Sequence, residues 1–135
     1  MATVRVERTE DGYQATNDRG AHVVIGDSTE VEGAFTPVEL LLAALGGCEI
    51  VTVEPLTAQR GHRMVRLAAQ VSADKVATSR LGTITVNYEV ELPEGDDEAA
   101  DVLAKVAQRV HEKYCTVGNA LKEPMKVDQT ITHQS

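Results

Sequence analysis

The sequence predicts an α+β domain, with antiparallel strands packed on one long buried helix and on a second, amphipathic helix. Three observations predict it. Residues 36–55, TPVELLLAALGGCEIVTVEP, are apolar on nearly every side of a helix. After Gly61 the apolar residues alternate with a period of two, and after the acidic run at 96–98 they recur with a period of 3.6. A length of 135 residues fits a single domain, 1–135, and with only one Phe, three Tyr and no Trp its core must be built from Val, Leu, Ile and Ala.

Taken in order, residues 3–8 and 13–16 read as strands joined through Glu10-Asp11-Gly12, an Asp-Gly turn signal. Asn17-Asp18-Arg19-Gly20 is a second turn leading to a third strand at 21–25, and the small and acidic residues of 26–34 read as an exposed loop. Thr36, Pro37 and Glu39 then mark a helix start. Thr serves as N-cap, Pro stands where a missing N–H costs nothing, and Glu completes a capping box. On the helical period Leu41, Ala44, Leu45, Cys48, Val51 and Thr52 form one stripe. Gly46 and Gly47 each cost roughly 1 kcal/mol against Ala in a helix interior, so close packing against the backbone is expected there. Pro55 should kink or end the helix, with the pattern resuming to Gln59 before Gly61.

Val65, Leu67, Ala69 and Val71, then Ile84, Val86, Tyr88, Val90 and Leu92, alternate as half-buried antiparallel strands do. Leu92-Pro93-Glu94-Gly95 is a turn, and Asp96, Asp97 and Glu98 suit a helix N-terminus. Val102, Leu103, Val106, Val110 and Tyr114 make the stripe of a helix running to about Lys113, with Cys115 at its end. A short helix around 119–122 and a last strand at 125–132, MKVDQTIT, complete the chain. A helix apolar all round needs more cover than one small sheet offers, so a second copy of the chain is expected to supply it.

Thirteen basic residues stand against 21 acidic ones, a net charge of −8, which repels nucleic-acid phosphates and anionic lipid. The first residues lack the apolar region of a signal peptide, and Glu39, Glu49 and Glu54 interrupt the most apolar run. The expectation is a cytoplasmic protein without nucleic-acid or membrane partners. In a reducing compartment its two cysteines are expected to be free, catalytic or redox-cycling rather than a structural staple. His62, His111 and His133 do not fall at metal-binding spacings with them, and Gly46-Gly47 lacks the setting and the following Lys of a phosphate loop. No metal or organic cofactor is expected.

PVELLLAALGGCEIVTVEPL, followed by KYCTVGNAL with the second cysteine 67 positions after the first, resembles the OsmC/Ohr family of osmotically induced and organic-hydroperoxide-resistance proteins. The resemblance implies an intertwined homodimer with two sites at the subunit interface. It also implies thiol peroxidase chemistry, with Cys48 attacking a hydroperoxide, Cys115 resolving the sulfenic acid, and a thiol or dithiol reductant restoring both. Physical chemistry asks for the same parts: a thiol with a pKa of about 8.5 needs a neighbouring cation or donor to react at neutral pH, and a second thiol traps the sulfenic acid before overoxidation.

Two positions depart from the best-known members. There a carboxylate directly follows the helix proline; here Val38 does, and the glutamate is Glu39, a P-x-E pattern similar to the OsmC-like branch. Glu39 lies nine residues before Cys48, about 180° round an ideal helix and ~13 Å along it, so it acts through an intermediary or across a dimer, or else only caps the helix. The resemblance puts a catalytic arginine in the first hairpin turn, where Arg8 is the nearest match and Arg19 the second choice. Arg60 and Arg63 read more simply as complements to a helix C-terminus. Glu49 faces the site, the interface or solvent, and a carboxylate beside a thiol raises the thiol's pKa. Two functions follow: a peroxidase acting on organic hydroperoxides, or a non-catalytic dimer of the same fold that binds a small apolar or electrophilic ligand or senses oxidants.

Overall fold

The computed structural model describes residues 1–134. The elements run β1 (Arg5–Thr9), β2 (Gly12–Thr16), β3 (His22–Ile25), α1 (Pro37–Gln59), β4 (Arg66–Ala77), β5 (Arg80–Glu91), α2 (Ala99–Arg109), a π-helical turn (Val110–Tyr114) and α3 (Thr116–Lys122). They pack as two units, Met1–Ala44 with Val71–Val86, and Leu45–Gln70 with the chain from Asn87 onward.

In the first unit β1, β2 and β3 form an antiparallel sheet in that order, with Thr9 opposite Gly12 and Tyr13 opposite both Arg8 and Ile25. Asn17 makes the second turn: its Oδ1 accepts from the backbone N–H groups of Arg19 and Ala21, both at 3.0 Å, and Gly20 takes the positive φ of 89° that the turn needs. Phe35 forms a parallel bridge to Ile25 and closes the loop between them. Gly26 allows this closure, since a Cβ there would stand 2.9 Å from that of Val31. At the start of α1, Thr36 N–H donates to Glu39 Oε1 (2.8 Å) and Glu39 N–H to Thr36 Oγ1 (3.2 Å), the reciprocal pair of a capping box.

β4 and β5 pair as a two-stranded sheet. Both are longer than their apolar alternation indicates, meeting at Thr78 and Ser79. Residues 72–83 are largely exposed on both faces, and ladder hydrogen bonds, not burial, extend the strands through them.

The second unit holds most of the buried side chains. α1 contributes Leu45, Gly46, Glu49, Val53 and Thr57, and the later chain Ala99, Leu103, Val106, Val110, Cys115 and Gly118. The inward stripe of α1 is therefore turned from the expected one. Ala44 and Val51 are exposed, while Cys48 and Thr52 are half-buried. Periodicity places a glutamate outside, but Glu49 finds side-chain partners within. Gly46 is buried as expected, whereas a Cβ on Gly47 would meet nothing within 4 Å.

α1 continues through Pro55, which faces outward. The ring removes one i→i−4 bond, whose orphaned acceptor is the carbonyl of exposed Val51. Beyond it Thr57 Oγ1 donates to the Val53 carbonyl (2.8 Å). Gly61, at φ 86°, then ends the helix, with His62 N–H returning to the Thr57 carbonyl as in a Schellman motif. By length and composition α1 is apolar enough to cross a membrane, a test that core helices of soluble proteins also pass.

The second helix is interrupted. α2 ends at Arg109 and Cys115 N–H bonds the Val110 carbonyl at 2.9 Å, five residues back, so one extra residue enters the turn. The residue after Val110 on the buried stripe is therefore Cys115, sealed from solvent, and not Tyr114, which is 52% exposed. The strand expected at 125–132 does not form. Residues 124–134 have no regular structure, and Met125, Val127 and Ile131 are exposed. Their alternation is that of a strand, but a strand needs a ladder partner, and none pairs with this segment among the described residues.

Candidate functional site

α1 presents Cys48 half-buried and Glu49 2% exposed, and the π turn swings Cys115 inward to meet them. Both cysteines are free, and Cys48 is near enough to Cys115 to push its thiol toward the protonated form. Cys115 also caps α3: its Sγ accepts from the N–H of Gly118 at 3.3 Å. Any larger residue at 118 would crowd the cap, because a Cβ there stands 3.3 Å from Sγ and 3.5 Å from Leu45 Cδ1.

Glu49 is the polar centre of this arrangement. Tyr88 Oη, from β5, donates to its Oε1 at 2.9 Å, and His111 Nδ1, from the π turn, meets its Oε2 at 2.7 Å. The buried carboxylate is thereby engaged on both oxygens, as a buried charge requires. His111 is half exposed on its side chain, and its backbone carbonyl accepts from Lys122 Nζ at 2.6 Å, which ties α3 to the turn. His62 pairs instead with Asp96 at 2.7 Å, joining the end of α1 to the start of α2.

Burial pushes the Cys115 thiol upward, neighbouring Cys48 and the Glu49 charge push the same way, and the Gly118 N–H opposes them. Burial, then the bond to Glu49, likewise holds the Tyr88 phenol well above its usual range. Both groups favour the protonated state when folded, so the unfolded chain releases these protons first as pH rises. The stability they lend is complete below about pH 8.5 and drains above it, first through Cys115 and from about pH 10 through Tyr88, by at most about 1.4 kcal/mol per pH unit per group. Thermal unfolding midpoints measured from pH 7 to 11 should fall accordingly. Cys115→Ala should flatten the first part of the fall and Tyr88→Phe the second; an unchanged profile in both variants would contradict these environments.

Arg8 and Glu39 belong to the first unit. Arg8 is exposed on β1, Arg19 pairs with its neighbour Asp18 at 3.1 Å, and Glu39 is occupied in the capping box. The hydrogen bonds around the two thiols are made without any of the three. Sequence reasoning weighed Glu49 without fixing its direction and gave Tyr88 no role in the site. The one signal was the glutamate inside the most apolar stretch of the chain, which needed a buried partner. Among the described residues no three His, Cys, Asp or Glu side chains gather as a metal site would require.

A half-buried free thiol and a sealed one thus share one unit of an α+β scaffold. The chain belongs to the OsmC-like family, whose model, described as OsmC-like protein, matches residues 26–130. Uncharacterised proteins of Mycobacterium tuberculosis and Mycobacterium bovis are 32% identical to it over 136 residues, which cover 97% of this chain and 96% of theirs. Among solved structures it is similar to an OsmC-like protein from Mycoplasma pneumoniae (TM-score 0.71, 19% identity, 92% of this chain and 89% of that one). It is also similar to an OsmC-like protein of unknown function from Vibrio cholerae (TM-score 0.68, 16% identity, 89% and 91%). These structures share the fold.

Proposed function

We propose that the chain is a cytoplasmic, homodimeric thiol peroxidase that reduces organic hydroperoxides in oxidative or osmotic stress defence, with Cys48 as peroxidatic and Cys115 as resolving thiol. The observation that carries this is the placing of a half-buried thiol and a sealed one in the same unit, near enough for Cys48 to push the Cys115 thiol toward its protonated form. A hydroperoxide arriving from solvent reaches Cys48 first. Its thiolate attacks the O–O bond, the alcohol leaves with a proton, and sulfenic acid remains on Cys48. Cys115, protonated until then, attacks that sulfur, water departs and a disulfide forms. A thiol or dithiol reductant then returns two electrons and two protons.

Several exposures support the homodimer. The chain exposes 10661 Å², where a 14.5 kDa monomer is expected to expose roughly 6,900 Å². Val51 is 69% exposed on the same face of α1 as Ala43, Ala44 and Gly47, and the strand-patterned tail at 124–134 is bare. In this reading a second copy covers them, and Arg8 and Glu39 take the activating roles that the family resemblance implies.

One observation favours the other reading, a non-catalytic binder or oxidant sensor: the Glu49 carboxylate pushes the Cys115 thiol toward its protonated form, which opposes thiolate formation there. The two readings part in one experiment. The reduced protein is treated with one equivalent of cumene hydroperoxide, and its intact mass and non-reducing peptide map are recorded. The peroxidase reading expects the loss of two hydrogens and a link between Cys48 and Cys115, followed by repeated turnover with dithiothreitol. A disulfide without turnover supports the sensor, and unchanged thiols overturn both redox functions. In the Cys115→Ser variant, excess hydroperoxide should carry Cys48 on to sulfinic acid, a gain of two oxygen atoms where the parent stops at the disulfide.

A further inference from the structure

A second feature of the Leu45–Gln70 unit is independent of the thiols. An open cleft of about 860 Å³ lies between the end of α1 and the face of α2 that continues into the π turn, and Arg60, Lys105, Arg109 and Lys113 all line it. Four of the chain's thirteen basic residues thus converge on one cleft of a protein whose net charge is −8. None of the four has a carboxylate partner among the described residues. The one acidic residue in the lining, Glu112, is engaged by the Gln108 amide at 3.1 Å.

Complementing helix C-termini explains a cation or two, such as Arg60 after α1 and Arg109 at the end of α2. It does not explain Lys105, a turn earlier in α2, or a cleft around them. Like charges gathered without counter-charge repel one another, and a bound anion relieves that repulsion. The floor adds a second requirement. Leu56 is half-buried, Val106 is buried, and the exposed ring of Tyr114 forms a wall, so the cleft offers apolar and aromatic surface between its cations. Its volume falls in the range of small-molecule sites.

We propose that this cleft binds a small organic anion bearing at least two negative charges on an apolar or planar body, held by Arg60 and Arg109 through paired N–H donors and by Lys105 and Lys113 as point charges. The anionic group is a phosphate or a set of carboxylates, two sources the test separates. Binding here does not depend on the peroxidase chemistry, because neither cysteine lines the cleft.

The test is calorimetric titration of the reduced full-length protein with adenosine monophosphate, citrate, inorganic phosphate and neutral adenosine, at 20 and 200 mM salt. Saturable binding of one adenosine monophosphate or one citrate per chain is expected, at least tenfold tighter than adenosine and weaker at high salt. Preference for the nucleotide identifies the phosphate arm, and preference for citrate the carboxylate arm. Arg60→Gln with Arg109→Gln should weaken the preferred ligand tenfold or more with the circular dichroism spectrum unchanged. Glu112→Gln, which removes the cleft's only acid, should tighten it severalfold and guards against a reading in which the double variant merely misfolds. No saturable binding by either organic anion, or equal affinity in the parent and both variants, overturns the proposal.

Discussion

Cys48→Ser is expected to abolish hydroperoxide turnover, reducing it to the uncatalysed background, a loss on the order of 10³-fold or more. The magnitude follows from the chemistry. Only a thiolate displaces the alcohol from the O–O bond at a useful rate, and a serine hydroxyl at neutral pH is neither ionised nor soft enough. Cys115 does not substitute for it, being sealed from solvent and pushed toward its protonated form by burial. The variant should remain folded, because serine is close in volume to cysteine and position 48 is only half-buried. Steady-state consumption of cumene hydroperoxide with dithiothreitol, with the unfolding midpoint recorded alongside, checks the prediction. Equal turnover in the variant and the parent would remove Cys48 from the mechanism and the peroxidase reading with it.

The elements around this thiol were legible in the sequence to different degrees, for physical reasons. The capping box at Thr36 and Glu39 and the stop at Gly61 are local, so a few residues specify them and both form as expected. The two cysteines are named by their segments, but their meeting depends on the π turn, whose extra residue exchanges Tyr114 for Cys115 on the buried stripe. A 3.6-residue pattern cannot announce an inserted residue that costs one helical bond and gains a tertiary place. The tail at 124–134 shows the converse. Its alternation is a true strand pattern, but strand formation depends on a partner edge that the segment itself does not carry.

Glu49 was the least legible residue because hydrophobic periodicity turns a charge outward unless its partners are known. Those partners, Tyr88 and His111, lie 39 and 62 positions away. Their bonds make Glu49→Ala the substitution with the largest expected cost to stability. It removes the acceptor of two side-chain bonds and opens a void at a position 2% exposed, for a loss of about 2–4 kcal/mol. In a domain of this size that lowers the unfolding midpoint by roughly 8–15 °C. Glu49→Gln separates shape from charge. It keeps the volume and an acceptor for Tyr88, so its cost should be nearer 1 kcal/mol. It also takes away a negative charge that pushes the Cys115 thiol upward, so the midpoint for thiolate absorbance should move to lower pH. If Glu49→Gln destabilises as much as Glu49→Ala, the carboxylate's charge, and not its volume, holds β5 and the π turn to α1. If the thiolate midpoint stays put, Glu49 organises the fold around the thiols without tuning their chemistry.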